Sequence, residues 1–181
     1  IKGARARAAV THEGFFIALW RMSRRNKRRY GGFLVHLGMV LIFAGIAGNA
    51  FKQEGRAELA AGESARIGTY RLELTKVETK ENPNFLQDKA LVRVYSPSGK
   101  FLKEMKPEKR FYPSSDQATS EVALRSTLKE DLYLVFAESK ENGKALLQWY
   151  INPLVNWVWI GGMVLILGTL FAMGPDPAQN K

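Results

Sequence analysis

The sequence contains no cysteine, which excludes disulfides, thiol redox chemistry and cysteine-ligated metals for this chain taken alone. Histidine is nearly absent as well: His12 and His36 are the only two. They lie 24 residues apart with a basic block between them, so they do not form a helical i, i+4 metal pair. No P-loop, H-E-x-x-H or G-x-S-x-G occurs, and there is neither an internal repeat nor a low-complexity tract. The polar stretches "KPEKRFYP" (Lys106–Pro113) and "STLKEDLYLVF" (Ser126–Phe136) hold carboxylates and bases, but no nucleophile–base spacing. Ser114, Ser115 and Asp116 read as a turn. A soluble active site confined to this region is therefore disfavoured.

Acid is scarce at the start of the chain. Residues 1–30 carry nine Lys/Arg against one acid, Glu13, whereas residues 52–148 carry 17 basic and 15 acidic residues. The net charge of +10 thus comes mainly from the N-terminal segment. Such a segment can bind nucleic acid or hold the cytoplasmic end of a membrane helix. Nucleic-acid binding through Arg21–Arg29 fits poorly, because that block abuts an apolar run and lacks interleaved aromatics for base stacking. The chain begins at Ile rather than Met, as expected of a processed form or a fragment, and nothing in it resembles a cleavable signal peptide.

Two long uncharged runs are present. Residues 31–51, "GGFLVHLGMVLIFAGIAGNAF", extend for 21 residues. As a helix that is about 31 Å, enough to cross a hydrocarbon core. The second runs from Leu154 to Met173, with Trp149, Tyr150, Trp157 and Trp159 as an aromatic belt at its entrance. The positive-inside rule places the N-terminus in the cytoplasm, residues 52–148 outside and the tail back in the cytoplasm. The short apolar stretch "HEGFFIALWRM" (12–22) reads as an interfacial helix. The expected organisation is a basic cytoplasmic segment (1–30), a transmembrane helix (31–51), a periplasmic β domain (52–148), a transmembrane helix with an aromatic entrance (149–173) and a cytoplasmic tail (174–181).

The segment between the runs reads as all-β. "TYRLELTKVE" alternates Tyr70, Leu72 and Leu74 with polar residues and slips register at Val77. "ALVRVYS", "DLYLVFAES" and "KALLQWYI" are further strand patterns, separated by the turn signals "ENPN", "SPSGK", "YPSSD" and "KENGK". Six to eight short strands in a small barrel or sandwich are expected.

His36 is the residue that stands out. An ionisable side chain inside a span is costly and tends to mark function. A helical projection puts Gly31, Gly38 and Gly45 within about 40° of one another, a face suited to close helix packing. His36 lies about 160° from Gly38, flanked by Gly32, Met39 and Phe43. That face suits a flat apolar cofactor such as haem, for which neutral imidazole is a common axial ligand. A histidine hydrogen-bonded to a neighbouring helix is the commoner case for intramembrane histidines, and the residues alone leave the two open. His12, beside Glu13, reads as a surface residue. Small-residue steps at Gly45/Gly48, Gly161/Gly162 and Gly168 imply further helix packing and a larger bundle.

At "RRYGGFLVHLGMVLIFAGIAGNAF" the sequence resembles the C-terminal part of the CcmF family of cytochrome c-type biogenesis proteins. The likeness continues through "LAAGES", "YRLELTKVE", "KPEKRFYP" and "TSEVALRSTLKEDLYLVF" to "INPLVNWVWIGGMVLILGTLFAM". The resemblance implies a haem lyase that receives haem from the chaperone CcmE and attaches it to the CXXCH motif of apocytochrome c. It also implies that His36 is one axial ligand of an integral haem b. The chain lacks the family's tryptophan-rich segment, its two external histidines and its other transmembrane histidine. The resemblance therefore points to a C-terminal piece, not catalytic alone, working with the remaining membrane portion and with thioreduction and chaperone subunits.

Overall fold

The computed structural model describes residues 26–140 and 143–174. The stretch 12–22, His12, Arg21 to Arg25 and the tail from residue 175 lie outside these described residues. The described chain runs from helix α1 (Lys27–Gly48) through a 3₁₀ turn (Asn49–Phe51) into ten strands, and ends in helix α2 (Val155–Met173). The strands are β1 (Gln53–Leu59), β2 (Ser64–Ile67), β3 (Tyr70–Asn82), β4 (Phe85–Tyr95), β5 (Phe101–Met105), β6 (Glu108–Tyr112), β7 (Gln117–Glu121), β8 (Ala123–Ser126), β9 (Glu130–Ser139) and β10 (Ala145–Pro153). Contacts divide the chain into a β unit, Ala47–Asn156, and a helical unit made of the segments on either side of it.

The β unit is a sandwich. One sheet has the order β1-β10-β9-β8; the other has the order β2-β3-β4-β6-β7, with β5 also pairing with β4. All pairings are antiparallel, so one face of each strand can be buried and the other solvated. Leu72, Leu74, Ala90, Val92, Val94 and Met105 of the larger sheet meet Leu132, Leu134, Phe136, Leu147 and Ile151 of the smaller one, all essentially inaccessible to solvent. The register slip expected at Val77 is a β-bulge between Leu74 and Lys76. It leaves Thr75 as the extra residue, its hydroxyl buried without a hydrogen-bond partner.

Among the described residues ten strands form where six to eight were expected. The additional ones carry little apolar alternation: β7, "QATSE", is exposed at every position and is held by its pairing with β6. The aromatic entrance also differs from expectation. Trp149 and Tyr150 belong to β10, paired with Gly55 and Glu54 of β1, and the helix begins only at Val155. The uncharged run continues through this boundary, but the backbone ladders to β1 and β9 keep residues 145–153 extended. The change of direction falls at Leu154, at a positive φ of 61°, whose N–H donates to the Lys129 carbonyl.

Candidate functional site

In the helical unit the glycine face is a seam. A Cβ built on Gly31 would lie 2.6 Å from the Ala172 Cβ, and one on Gly168 would lie 2.8 Å from the Leu34 Cβ. At Gly38 the neighbours are backbone: the Gly161 carbonyl oxygen and the Leu165 nitrogen, both at 2.7 Å. The two helices therefore run antiparallel in close contact, as small residues allow. Gly162 was expected to share this packing, yet nothing lies within 4 Å of its Cβ position. Adjacent helical residues are about 100° apart, so only Gly161 can face the seam.

His36 sits on the other face of α1, exposed. Its Nδ1 lies 2.8 Å from the carbonyl oxygen of Gly32, one turn back. A carbonyl oxygen only accepts, so Nδ1 carries a proton, and in the neutral imidazole Nε2 then keeps its lone pair. This hydrogen bond goes to the histidine's own helix and not to α2. Gly32 has nothing within 4 Å of its Cβ position, while Met39 and Phe43, three and seven residues on, are 42% and 63% exposed. The face thus offers one nitrogen donor with its tautomer set, an open notch beside it, and two apolar side chains. Those features fit a flat apolar group carrying a metal that needs a nitrogen ligand. Among the described residues no three His, Cys, Asp or Glu side chains gather as a metal-binding group.

In the β unit the polar stretches resolve into structural networks. Glu108 of β6 accepts from Gln87 and forms ion pairs with Lys89 at 3.2 Å and Arg110 at 3.4 Å. Asp131, only 3% exposed, accepts from the Ser126 hydroxyl at 2.6 Å and from the Thr127 amide. Asn156 Nδ2 donates to Ser126 Oγ at 2.8 Å and to the Thr127 carbonyl at 2.7 Å. Glu130 accepts from the Tyr70 hydroxyl at 2.7 Å, which joins the two sheets. Burial and then this carboxylate push the Tyr70 phenol up to about 12.

One pairing went unseen in the sequence. Arg66 and Arg71 lie directly opposite one another on β2 and β3. The signal was available in "SARIGTYRLEL", where Gly-Thr separates two alternating runs and makes a two-residue hairpin loop, Gly68 at φ 50°.

Comparison with known proteins gives consistent results. The profile of a family described as "CcmF C-terminal beta-sandwich" matches residues 50–153. A "Cytochrome c-type biogenesis protein CcmF" of Haemophilus influenzae is 34% identical over 166 residues, covering 91% of this chain and 25% of that protein. The protein of the same name in Escherichia coli is 29% identical over 188 residues, covering 96% of this chain and 29% of that one. A solved structure titled "Cytochrome c Heme Lyase CcmF" aligns with a TM-score of 0.65 at 26% identity, over 84% of this chain and 26% of that one. The chain spans about a quarter of the length of these relatives.

Proposed function

The chain belongs to the CcmF C-terminal beta-sandwich family of cytochrome c biogenesis, and on that premise we propose that it is the C-terminal portion of a haem lyase, contributing His36 as an axial ligand to an integral haem b. The observation that supports the ligand role is the Nδ1–H to Gly32 hydrogen bond, which selects the tautomer whose Nε2 can donate its lone pair to a metal when the ring is neutral. When bound, haem b supplies an iron that changes oxidation state. The chain's own residues do the rest. Gly32 holds the imidazole plane and leaves room beside it, Met39 and Phe43 keep water away, and the glycine seam fixes the helix that carries them. The second axial ligand would come from the remaining membrane portion of the lyase.

The two helices, Lys27–Phe51 with its 3₁₀ extension and Val155–Met173, are long and apolar enough to cross a membrane. We place them in the inner membrane with both termini cytoplasmic and residues 52–148 in the periplasm. There the sandwich would help to dock the chaperone CcmE, apocytochrome c with its CXXCH motif, and the thioreduction subunits. Thioether formation would belong to the whole assembly rather than to this chain.

The test is a comparison of the complete assembly with His36 intact and as His36→Ala and His36→Gly, read by the reduced-haem spectrum and by cytochrome c maturation. Both variants should lose the low-spin haem b signal, and added imidazole should restore it in His36→Gly. Unchanged bound haem and unchanged maturation would refute the ligand role and leave a membrane scaffold whose β domain binds a partner.

A further inference from the structure

The outer face of the larger sheet is laid out in rows of cross-strand neighbours, and in two of these rows a base stands between acids. In one, Glu73 stands opposite Arg93, which stands opposite Glu104. In another, Glu78 stands opposite Lys89, which pairs with Glu108. The row nearest the β2–β3 loop breaks the pattern. It reads Arg66, Arg71, Tyr95, Phe101, with two cations side by side and no acid.

Directly opposed side chains on one face of an antiparallel pair have Cβ atoms about 5 Å apart, and like charges there destabilise the pair. Both arginines are exposed, and among the described residues neither forms an ion pair. Arg71 instead stacks over the Tyr95 ring at 4.5 Å. The pair borders a concavity of about 560 Å³ that also takes in Thr69, Ser96 and Ser98. Its two turns place glycine at positive φ, Gly68 at 50° and Gly99 at 79°, so those parts of the rim carry no side chain.

Two guanidinium forks bordering one hollow match an anion with several acceptor oxygens spread tetrahedrally. Of the hydroxyls on the rim, Thr69 donates to Glu130 at 3.4 Å, and Ser96 and Ser98 bond to each other at 2.8 Å. We propose that this concavity is a binding site for a phosphate group, held between Arg66 and Arg71. The anion supplies the negative charge that the row lacks. The group could be carried by an anionic phospholipid or by a soluble phosphate ester. Two features favour the lipid. Phe101, 51% exposed, extends the row through an edge contact with Tyr95 at 5.9 Å between centroids. The β2–β3 loop also lies against Gln53 and Ile151, beside the points where the chain enters and leaves the sandwich. The lipid as source rests on the reading of the two helices as membrane spans; the phosphate site itself does not.

The experiment uses the full chain, in neutral detergent and in nanodiscs. In detergent at low salt it is titrated with glycerol phosphate and followed by the thermal midpoint of the sandwich. In nanodiscs containing phosphatidylglycerol or only phosphatidylcholine, retained lipid is counted by native mass spectrometry. The variants are Arg66→Gln with Arg71→Gln, and Arg93→Gln as a control from a row in which the base stands between acids. The double variant should lose at least tenfold in phosphate affinity, and without phosphate it should melt no lower than the parent, because opposed like charges are gone. Binding of phosphatidylglycerol alone assigns the site to lipid, whereas binding of glycerol phosphate alone keeps the site and removes the lipid as its source. The proposal is overturned if neither probe separates the parent from the double variant, or if Arg93→Gln loses as much.

Discussion

Replacing Gly38 with alanine adds one methyl group to a seam that has no room for it. The new carbon would sit 2.7 Å from the Gly161 carbonyl oxygen and the Leu165 nitrogen, and 2.9 Å from the Leu165 Cβ. Ordinary contact distances are about 3.5–4.0 Å, so the helices must part by at least roughly 0.8 Å. The obstacles are mostly backbone, which cannot rotate aside as a side chain can. Separation on that scale forfeits about a quarter to a half of each contact's dispersion energy along the seam. Together with residual overlap this amounts to about 1–3 kcal/mol. Alanine also gains about 1 kcal/mol of helix propensity, so the proper reference is Gly32→Ala, which has the same gain and open space around it. In a reversible SDS titration of the full chain in mixed micelles, read by helical circular dichroism, Gly38→Ala should be less stable than Gly32→Ala by about 1–3 kcal/mol. Gly161→Ala meets the reciprocal obstruction, 2.6 Å from the Gly38 carbonyl oxygen. Once one methyl has parted the helices, the second costs less, so the double variant should fall short of additivity. If Gly38→Ala proves as stable as Gly32→Ala, the seam does not hold the helices together and the reasoning fails.

Asn156→Ala removes the amide that donates to Ser126 and the Thr127 carbonyl; the sandwich should lose about 1–2 kcal/mol in a thermal melt, since those acceptors are left unpaired. Tyr70 holds its proton more tightly when folded, at about 12 against an ordinary value near 10, so the folded state binds more protons in that window and stability falls as pH rises through it. Ultraviolet titration should show one tyrosine ionising late, and Tyr70→Phe should remove that late step and flatten the stability loss between about pH 10 and 12.

Much of the helical unit was legible from spacing. Glycines seven residues apart at positions 31, 38 and 45 marked the buried face of α1, and Gly31 and Gly38 do pack on α2. The companions of His36 at i−4, i+3 and i+7 follow from the same periodicity. What periodicity could not supply is the tautomer, which depends on where one carbonyl lies relative to one ring nitrogen. In the sandwich, β3, β4, β9 and β10 were readable because each buries alternate side chains. Strand β7 and much of β1 bury little, so their pairing arises from neighbours already in place. The boundary at Trp149 was misread for a related reason. An uncharged run looks the same to hydropathy whether it is pairing in a sheet or winding into a helix.

The bulge on β3 has the character of a frame shift. Up to Leu74 the even-numbered residues of the strand face the core; beyond Thr75 the odd-numbered ones do, beginning with Val77 opposite the buried Ala90. Had the parity run on unbroken, Lys76, Glu78 and Lys80 would be carried onto the core side. One inserted residue instead sets Glu78 opposite Lys89 and leaves Lys76 and Glu78 as neighbouring partners at 2.5 Å. Loss of Thr75 would therefore be read out downstream, along the whole remaining length of the hairpin. The same shift could be undone only by a matching change of one residue before Val77 or across from it on β4. In a lineage, such changes should come and go in pairs.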